Sequence, residues 1–483
     1  MLYALIWIFV VWHYALRCGF ISDDHAVIAQ RKDIIPDGEK NPVKKPYWVD
    51  VFDQGIILFY LNWLCGKLRI RRFPFTWHLL SLAIHLTNCW LLYLLLTPII
   101  GIDLAIIAVF IWAVNPMLNQ NVVWISGRPY TIAVMLCLVA MLNWNNPFIF
   151  LPLYALAVVT NISIFFMPVL VKMMHPSWQA NFYLISIFLV AAPFVAWKFK
   201  MRFSKALVID RENFKWHKRR INNLVRVYAY YVWTLFVPVR MGWYHQAGFR
   251  YNNKWDKFNI WTLCGYIIVF LLIKQGFFGW WFLLGLLPNM NVYVTNSFLQ
   301  DRYLYFGSMG LAVIIAPLLY HYPMLAIIAL TFYGTRAYMF SRQMINDETM
   351  YRENWRNHPN SDYAVNNLSF FLIQQKRHDE ARVMILRALT FARDNKMLWY
   401  NLGVTWVAQG NLGSDEGKFR FLRAVDAWKM CLQIEPRWRK PAEDLEKLIT
   451  FLIENKVITM NKDESNPNIA QIDIPMLGSL AKS

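Results

Sequence analysis

Residues 75–96 read FTWHLLSLAIHLTNCWLLYLLL, a run with no Asp, Glu, Lys or Arg. A helix that crosses a membrane needs about 20 consecutive, mostly apolar residues, and this run supplies them. Two imidazoles and a carboxamide interrupt it: His78, His85 and Asn88. Their spacings of seven and three put all three on one helix face. Polar groups on one face of a span point toward protein or a cavity rather than lipid. Hydrogen bonding inside a bundle and a functional role are both open for them.

Similar runs recur along the chain. Residues 1–20, 99–114, 129–144, 148–174, 182–197, 224–239, 260–273, 277–294, 303–320 and 324–340 complete an expected set of eleven transmembrane helices. Of the 483 residues 57% are hydrophobic and 17% aromatic, and mean hydropathy is +0.30. A soluble protein of this length is not that apolar, so the expected class is an all-α polytopic helical membrane protein embedded in a lipid bilayer. Residues 1–20 lack a basic start and a small-residue cleavage site, which favours a retained span over a cleaved signal. The polar stretch 21–73 contains an apolar piece, 56–64, too short to span and expected to lie along the interface. Residues 148–174 are interrupted by Pro152 and Pro168 and are readable as one tilted span or two half-helices.

The net charge of +19 does not argue for nucleic acid. The basic residues lie mainly in loops between spans and in the C-terminal part, where they set topology or meet anionic headgroups. The loop 198–220 carries nine Lys or Arg against Asp210 and Glu212, so it is expected to be cytoplasmic. If 148–174 crosses once, counting from that loop places the N-terminus in the cytoplasm. It also gathers Asp23, Asp24, the loop 124–128 and Asp301-Arg302 on the opposite face. The six cysteines are scattered and form no metal or disulfide pattern.

After residue 340 the chain turns charged. Leu368, Ala381 and Ala388, then Ala424, Cys431 and Pro436, fall at the offsets of packing residues in a tetratricopeptide repeat. The expected domains are 1–340 in the membrane, 341–462 as a C-terminal tetratricopeptide-repeat α-solenoid, and 463–483 as a disordered tail. Within the solenoid, 413–420 is expected to be an inserted loop, and about 443–454 a capping helix.

Candidate chemistry begins at Ser22-Asp23-Asp24-His25, directly after the first span. Ionisable groups at a membrane boundary are expensive to keep and are functional candidates; a plain helix cap is the other reading. Trp124-Ile-Ser-Gly-Arg128 offers a planar guanidinium that suits phosphate, and Gly127 would permit a close backbone approach to a ligand. Asp301-Arg302 opens another span. A carboxylate and one or two arginines on one face suit a reaction in which a base deprotonates a hydroxyl while cations hold a departing phosphate.

Asp23-Asp24, Pro74-x3-His78 with His85 and Asn88, Asn115-Pro116 through WISGR (124–128), and DRYLY (301–305), followed by repeats, resemble the transmembrane-and-TPR O-mannosyltransferase family. The resemblance covers nearly the whole chain and implies a GT-C fold. It implies a glycosyltransferase that moves a sugar, typically mannose, from a polyprenyl-phosphate donor to a Ser or Thr hydroxyl of an acceptor protein on the exoplasmic side. Asp23 or Asp24 would be the base, and Arg128 and Arg302 would bind the donor phosphate. His25, His78, His85, Asn88, Trp124 and Asp301 would line the cavity. The lipid-linked sugar phosphate is a co-substrate; no cofactor is expected, with a divalent metal left open. The implied location is a bacterial inner membrane or the endoplasmic reticulum membrane, with exoplasmic repeats that contact the acceptor.

The chain departs from the family pattern at Asn115 (usually His), Gln120 (usually Glu), Asn161-Ile162 (often Lys-Glu) and Phe52-Asp53 (expected Arg-Pro). These departures motivate a second reading, a catalytically degenerate GT-C membrane scaffold whose repeats recruit partner proteins. A transporter is a more distant alternative, because no inverted repeat is visible.

Overall fold

The computed structural model describes residues 1–25, 74–197, 219–240, 242, 259–290, 299–462 and 470–473. The interfacial piece at 56–64 and most of the basic loop 198–220 lie outside them. The chain divides into two compact units, Met1–Asn357 and His358–Ser483. The boundary expected at residue 340 falls inside a helix of the first unit, Pro323–Gln343.

The described part of the first unit is entirely helical. Its helices are α1 (Leu2–Trp12), α2 (Pro74–Ile100), α3 (Ile102–Ala113), the short α4 (Asn119–Val122), α5 (Arg128–Leu142), α6 (Pro147–Thr160), α7 (Met167–Met174) and α8 (Trp178–Ser186). There follow α9 (Arg219–Phe236), α10 (Ile260–Lys274), α11 (Phe277–Leu286), α12 (Leu304–His321), α13 (Pro323–Gln343) and α14 (Asp347–Asn357). Five stretches are long and apolar enough to cross a membrane: Pro74–Ile100, Ile125–Leu142, Trp178–Trp197, Asp301–His321 and Pro323–Gln343. A sixth candidate is the pair Ile102–Ala113 and Pro116–Val122, bent by 59°. Shorter apolar helices accompany them, so the unit has the form of a multi-pass membrane protein.

Of the two readings of residues 148–174, two half-helices is the form seen, but the break falls at Asn161, not at either proline. Pro152 sits inside α6 and Pro168 opens α7, where its missing N–H costs nothing. Asn161 is extended, and its Oδ1 accepts the Ser163 N–H at 2.9 Å and the Ser163 hydroxyl at 2.7 Å, capping a new turn. The stretch 224–239 lies in α9, which is not among the long apolar helices. It buries Arg226, whose Nε donates to Thr262 Oγ1 at 2.5 Å.

The centre of this unit is α12, buried along its first three turns. It packs against α3 and α11. The α11 contact runs through glycines: a Cβ on Gly285 would come within 2.8 Å of Gly307 Cα, and one on Gly310 within 2.4 Å of the Phe278 carbonyl. Small residues are what let helix backbones approach so closely in lipid. Helix α2 packs on α3 and α5, and α1 packs on α13 and α2.

The second unit holds α15 (Asp362–Gln374), α16 (His378–Leu389), α17 (Lys396–Gln409), α18 (Asp415–Ile434) and α19 (Arg439–Glu454). Each packs on the next in chain order, and α15 also touches α17, as in stacked helix pairs. Leu368, Ala381, Ala388, Ala424 and Cys431 are all fully buried. Residues 413–420 are not a loop: the turn is short, and Asp415–Ile434 forms one long helix capped by the Ser414 hydroxyl. The extra residues lengthen a helix. In the expected tail, residues 470–473 pair antiparallel with 459–462, and the rest lies outside the described residues.

Candidate functional site

Three separate stretches meet at one end of the first unit. After α1, a turn of 3-10 helix (His13–Arg17) delivers the chain to Ser22-Asp23-Asp24-His25. Asp24 is fully buried. Its Oδ1 accepts the Ser126 N–H at 2.8 Å and the Ser126 hydroxyl at 2.6 Å, and its Oδ2 accepts the Ile21 N–H at 3.3 Å. Burial pushes its carboxyl from the ordinary 3.8 up to about 6, while those bonds and Arg128 oppose the rise. The double aspartate is thereby tied to the WISGR stretch.

Asp23 faces outward, and among the described residues no side chain hydrogen-bonds its carboxylate. Partial desolvation by surrounding protein raises its carboxyl, and the positive charge of Arg302 pulls the other way. His25 lies 2.7 Å through Nε2 from Asp347 Oδ2, and that contact raises its imidazole above the ordinary value.

Arg128 is fully buried at the start of α5. Its Nε donates to the Ile125 carbonyl at 3.0 Å, and its guanidinium lies 5.1 Å from the Trp77 ring centre. Arg302 stacks against three rings: Trp124 at 5.2 Å, Tyr303 at 5.8 Å and Tyr130 at 6.0 Å. Its backbone is held by the α4 region, for Asn121 Nδ2 donates to the Arg302 carbonyl at 3.1 Å. Asp301 is buried and accepts the Gly242 N–H at 3.3 Å. Gly127 has a packing reason: a Cβ there would fall 2.3 Å from the Gln120 carbonyl, so the close approach is to protein.

The histidine face of α2 goes elsewhere. His85 Nδ1 lies 2.7 Å from the Tyr305 hydroxyl and its Nε2 3.2 Å from the Ala113 carbonyl. Asn88 Nδ2 donates to the Thr131 carbonyl at 2.9 Å and to the Tyr305 hydroxyl at 3.1 Å. Trp12 and Trp112 pack edge-on and tilted against His85. This is a buried network inside the bundle. His78 is nearer the turn, 3.2 Å through Nε2 from the Gly19 carbonyl. The structure thus brings Asp23, Asp24, His25, His78, Trp124, Arg128, Asp301 and Arg302 toward one region, and leaves His85 and Asn88 in the core.

Asp347, Ser126 as a carboxylate anchor, Trp77 and Tyr130 are the neighbours that sequence reasoning missed. Ser126 was visible inside WISGR, but Asp347, 325 residues from Ser22, left no signal in spacing. Among the described residues no group of three or more His, Cys, Asp or Glu side chains could hold a metal ion.

A groove of about 370 Å³ opens between α3, α9, α12 and α13, lined almost wholly by apolar side chains. Its few polar groups include Asn115 and Ser308. The Ser308 hydroxyl has no hydrogen-bond partner among the described residues. Asn115 also begins the short segment whose Gln120 and Asn121 hold the Arg302 backbone.

No family model matches the chain, and no solved structure matches it. Among curated proteins it is similar to human protein O-mannosyl-transferase TMTC3, with 23% identity over 143 residues. That alignment covers 27% of this chain and 15% of the human protein.

Proposed function

We propose that the chain is a multi-pass membrane glycosyltransferase that moves a sugar from a polyprenyl-phosphate donor to a protein hydroxyl. One observation carries the reading: an exposed carboxylate, Asp23, beside a ring-stacked cation, Arg302, with a second arginine, Arg128, behind the anchored Asp24. The similarity to the human O-mannosyl-transferase supports the reaction class. The apolar groove between α3, α9, α12 and α13 offers room for a donor with a long hydrocarbon tail. Mannose on Ser or Thr is the specific form that the resemblance favours. Eleven spans, a GT-C arrangement, a cytoplasmic N-terminus and exoplasmic tetratricopeptide repeats that engage the acceptor complete the proposal.

The roles divide by environment. Asp23 takes the proton of the acceptor hydroxyl as that oxygen bonds to the anomeric carbon. The bond from that carbon to the phosphate oxygen breaks, and the polyprenyl phosphate leaves with the electron pair. Its charge is met by Arg302, with Arg128 adding positive potential from the interior. Asp24, its oxygens already engaged, holds the turn. A carboxyl raised above the ordinary range is a stronger base, which suits Asp23.

A scaffold without catalysis is the second reading, and a specific observation favours it. Asn115 donates to the Leu235 carbonyl, Gln120 to the Gly242 carbonyl, and Asn161 caps Ser163. Positions where the resembled family carries charges thus make internal bonds here.

Transfer of radiolabelled sugar from a panel of polyprenyl-phosphate sugars to endogenous membrane protein separates the two. Wild type is expected to label protein with one donor, and Asp23→Asn or Arg302→Ala to lower the rate by about a hundredfold or more at equal folded protein. Full activity in Asp23→Asn would remove it as the base. Absence of transfer from every donor would favour the scaffold.

A further inference from the structure

Residues 18–25 run along the junction between α13 and α14. Cys18 Sγ donates to the Ser341 carbonyl at 3.4 Å, and the Gly19 N–H donates to the Ile345 carbonyl at 3.0 Å. Asp347 comes next. Its Oδ1 accepts the Ser22 N–H at 2.6 Å, and its Oδ2 lies 2.7 Å from His25 Nε2. One carboxylate therefore holds both ends of the turn that carries Asp23. Ser22 sits at φ 52°, in the left-handed region that a residue with a Cβ occupies only when its surroundings hold it there.

An aspartate at a helix start ordinarily serves as a cap. Here Asn346 does that for α14: its Oδ1 accepts the Thr349 N–H at 2.9 Å and the Thr349 hydroxyl at 3.0 Å. The Asp347 carboxylate is left to the 22–25 turn instead. The positive end of α14 also favours a carboxylate at that place.

We propose that Asp347 is a positioning residue for the transfer reaction, fixing the 22–25 turn so that the Asp23 carboxylate stands beside Arg302. This rests on the functional reading above. The turn is gripped from two sides: Asp24 is anchored inward on Ser126, and Ser22 and His25 are anchored on Asp347. Removing the outer grip frees Ser22 to relax to negative φ, which swings Asp23 off its position.

The grip depends on pH through His25. Among the described residues, the charged groups facing its ring are Asp347 from α14 and Asp24 from its own turn; both favour the imidazolium, and partial burial opposes them. The ion pair is complete below the ordinary histidine range and weakens as pH rises through the raised value.

The test uses the full chain in detergent. Carbethoxylation of histidines by diethyl pyrocarbonate, resolved by peptide mass spectrometry across pH, reads the neutral fraction of His25, whose side chain is 41% exposed. In wild type the midpoint is expected above the ordinary value of about 6.5, and in Asp347→Asn it falls toward it. Glu348→Gln, a neighbour whose carboxylate pairs with Arg352, keeps the wild-type midpoint. Sugar transfer is measured on the same proteins. Asp347→Asn is expected to lower kcat on the order of tenfold to a hundredfold with donor KM unchanged, because misplacement acts on the chemical step. His25→Gln gives a smaller loss and flattens the decline toward alkaline pH. An unchanged His25 midpoint in Asp347→Asn, an unchanged kcat, or a loss confined to KM overturns the proposal. If wild type itself transfers no sugar, the functional reading fails, and the grip is judged by the midpoint alone.

Discussion

Asp24 shows how one buried side chain can decide the behaviour of a site. Its folded value of about 6 lies above the 3.8 of an ordinary carboxyl. The folded state thus binds more protons than the unfolded chain between those values, and stability falls as pH rises through that window. The size is about 3 kcal/mol at 1.36 kcal/mol per unit. Thermal unfolding of detergent-solubilised protein between pH 4 and 7 should show the decline, and Asp24→Asn should flatten it. Ser126→Ala removes a hydroxyl from a charged acceptor and should cost about 1.5–3 kcal/mol in the same measurement. Gly127→Ala drives a methyl into the Gln120 carbonyl. It should lower the yield of folded protein, at about 1–3 kcal/mol or more. The candidate residues themselves were legible, because carboxylates and arginines at span ends stand out against apolar runs. Their division of labour was not: whether Asp23 or Asp24 faces outward depends on Ser126 and Asp347, and neither contact is local in sequence.

At the level of elements, apolar periodicity located the helices but not the residues at which they break. The break after α6 comes from the side chain of Asn161 capping Ser163, and prolines drew attention away from it. The 59° bend after α3 comes at Asn115-Pro116, where the asparagine caps a new turn. Hydropathy averages over such single hydrogen bonds. In the second unit, the 22-residue offset from Leu402 to Ala424 suggested a loop, yet the surplus was absorbed as extra turns of α18. A polar, charged stretch with good helix formers extends a helix as readily as it makes a loop. The α11–α12 contact is the element most exposed to a single change. Gly310→Val should separate the two helices, since the Phe278 carbonyl leaves no room for a branched side chain. The expected result is loss of monodisperse protein on size-exclusion chromatography, with Gly413→Ala, whose added Cβ would meet nothing closer than 3.8 Å, much milder.

On the scale of the whole molecule, composition changes from apolar to charged after residue 340, whereas the two compact units divide between Asn357 and His358. The second unit has its own buried core, including Leu368, Ala388, Ala424, Trp428 and Leu452. Residues 358–473 expressed alone should give a helical circular dichroism spectrum and a cooperative melt; a chain that stays unfolded would contradict a self-sufficient unit. In the first unit, helix lengths are uneven. Pro74–Ile100 has 27 residues and Ile260–Lys274 only 15, or about 40 Å against about 22 Å at 1.5 Å per residue. The shorter helix exposes Ile260, Trp261, Tyr266, Ile267 and Phe270. A hydrocarbon layer about 30 Å deep cannot match both. In the proposed arrangement, where α10 crosses the bilayer, lipid pinches in beside α10 or α2 tilts, at a fraction of a kcal/mol for each ångström of mismatch. That arrangement predicts a preference for thin or locally deformable membranes, read by reconstitution into vesicles of graded acyl-chain length.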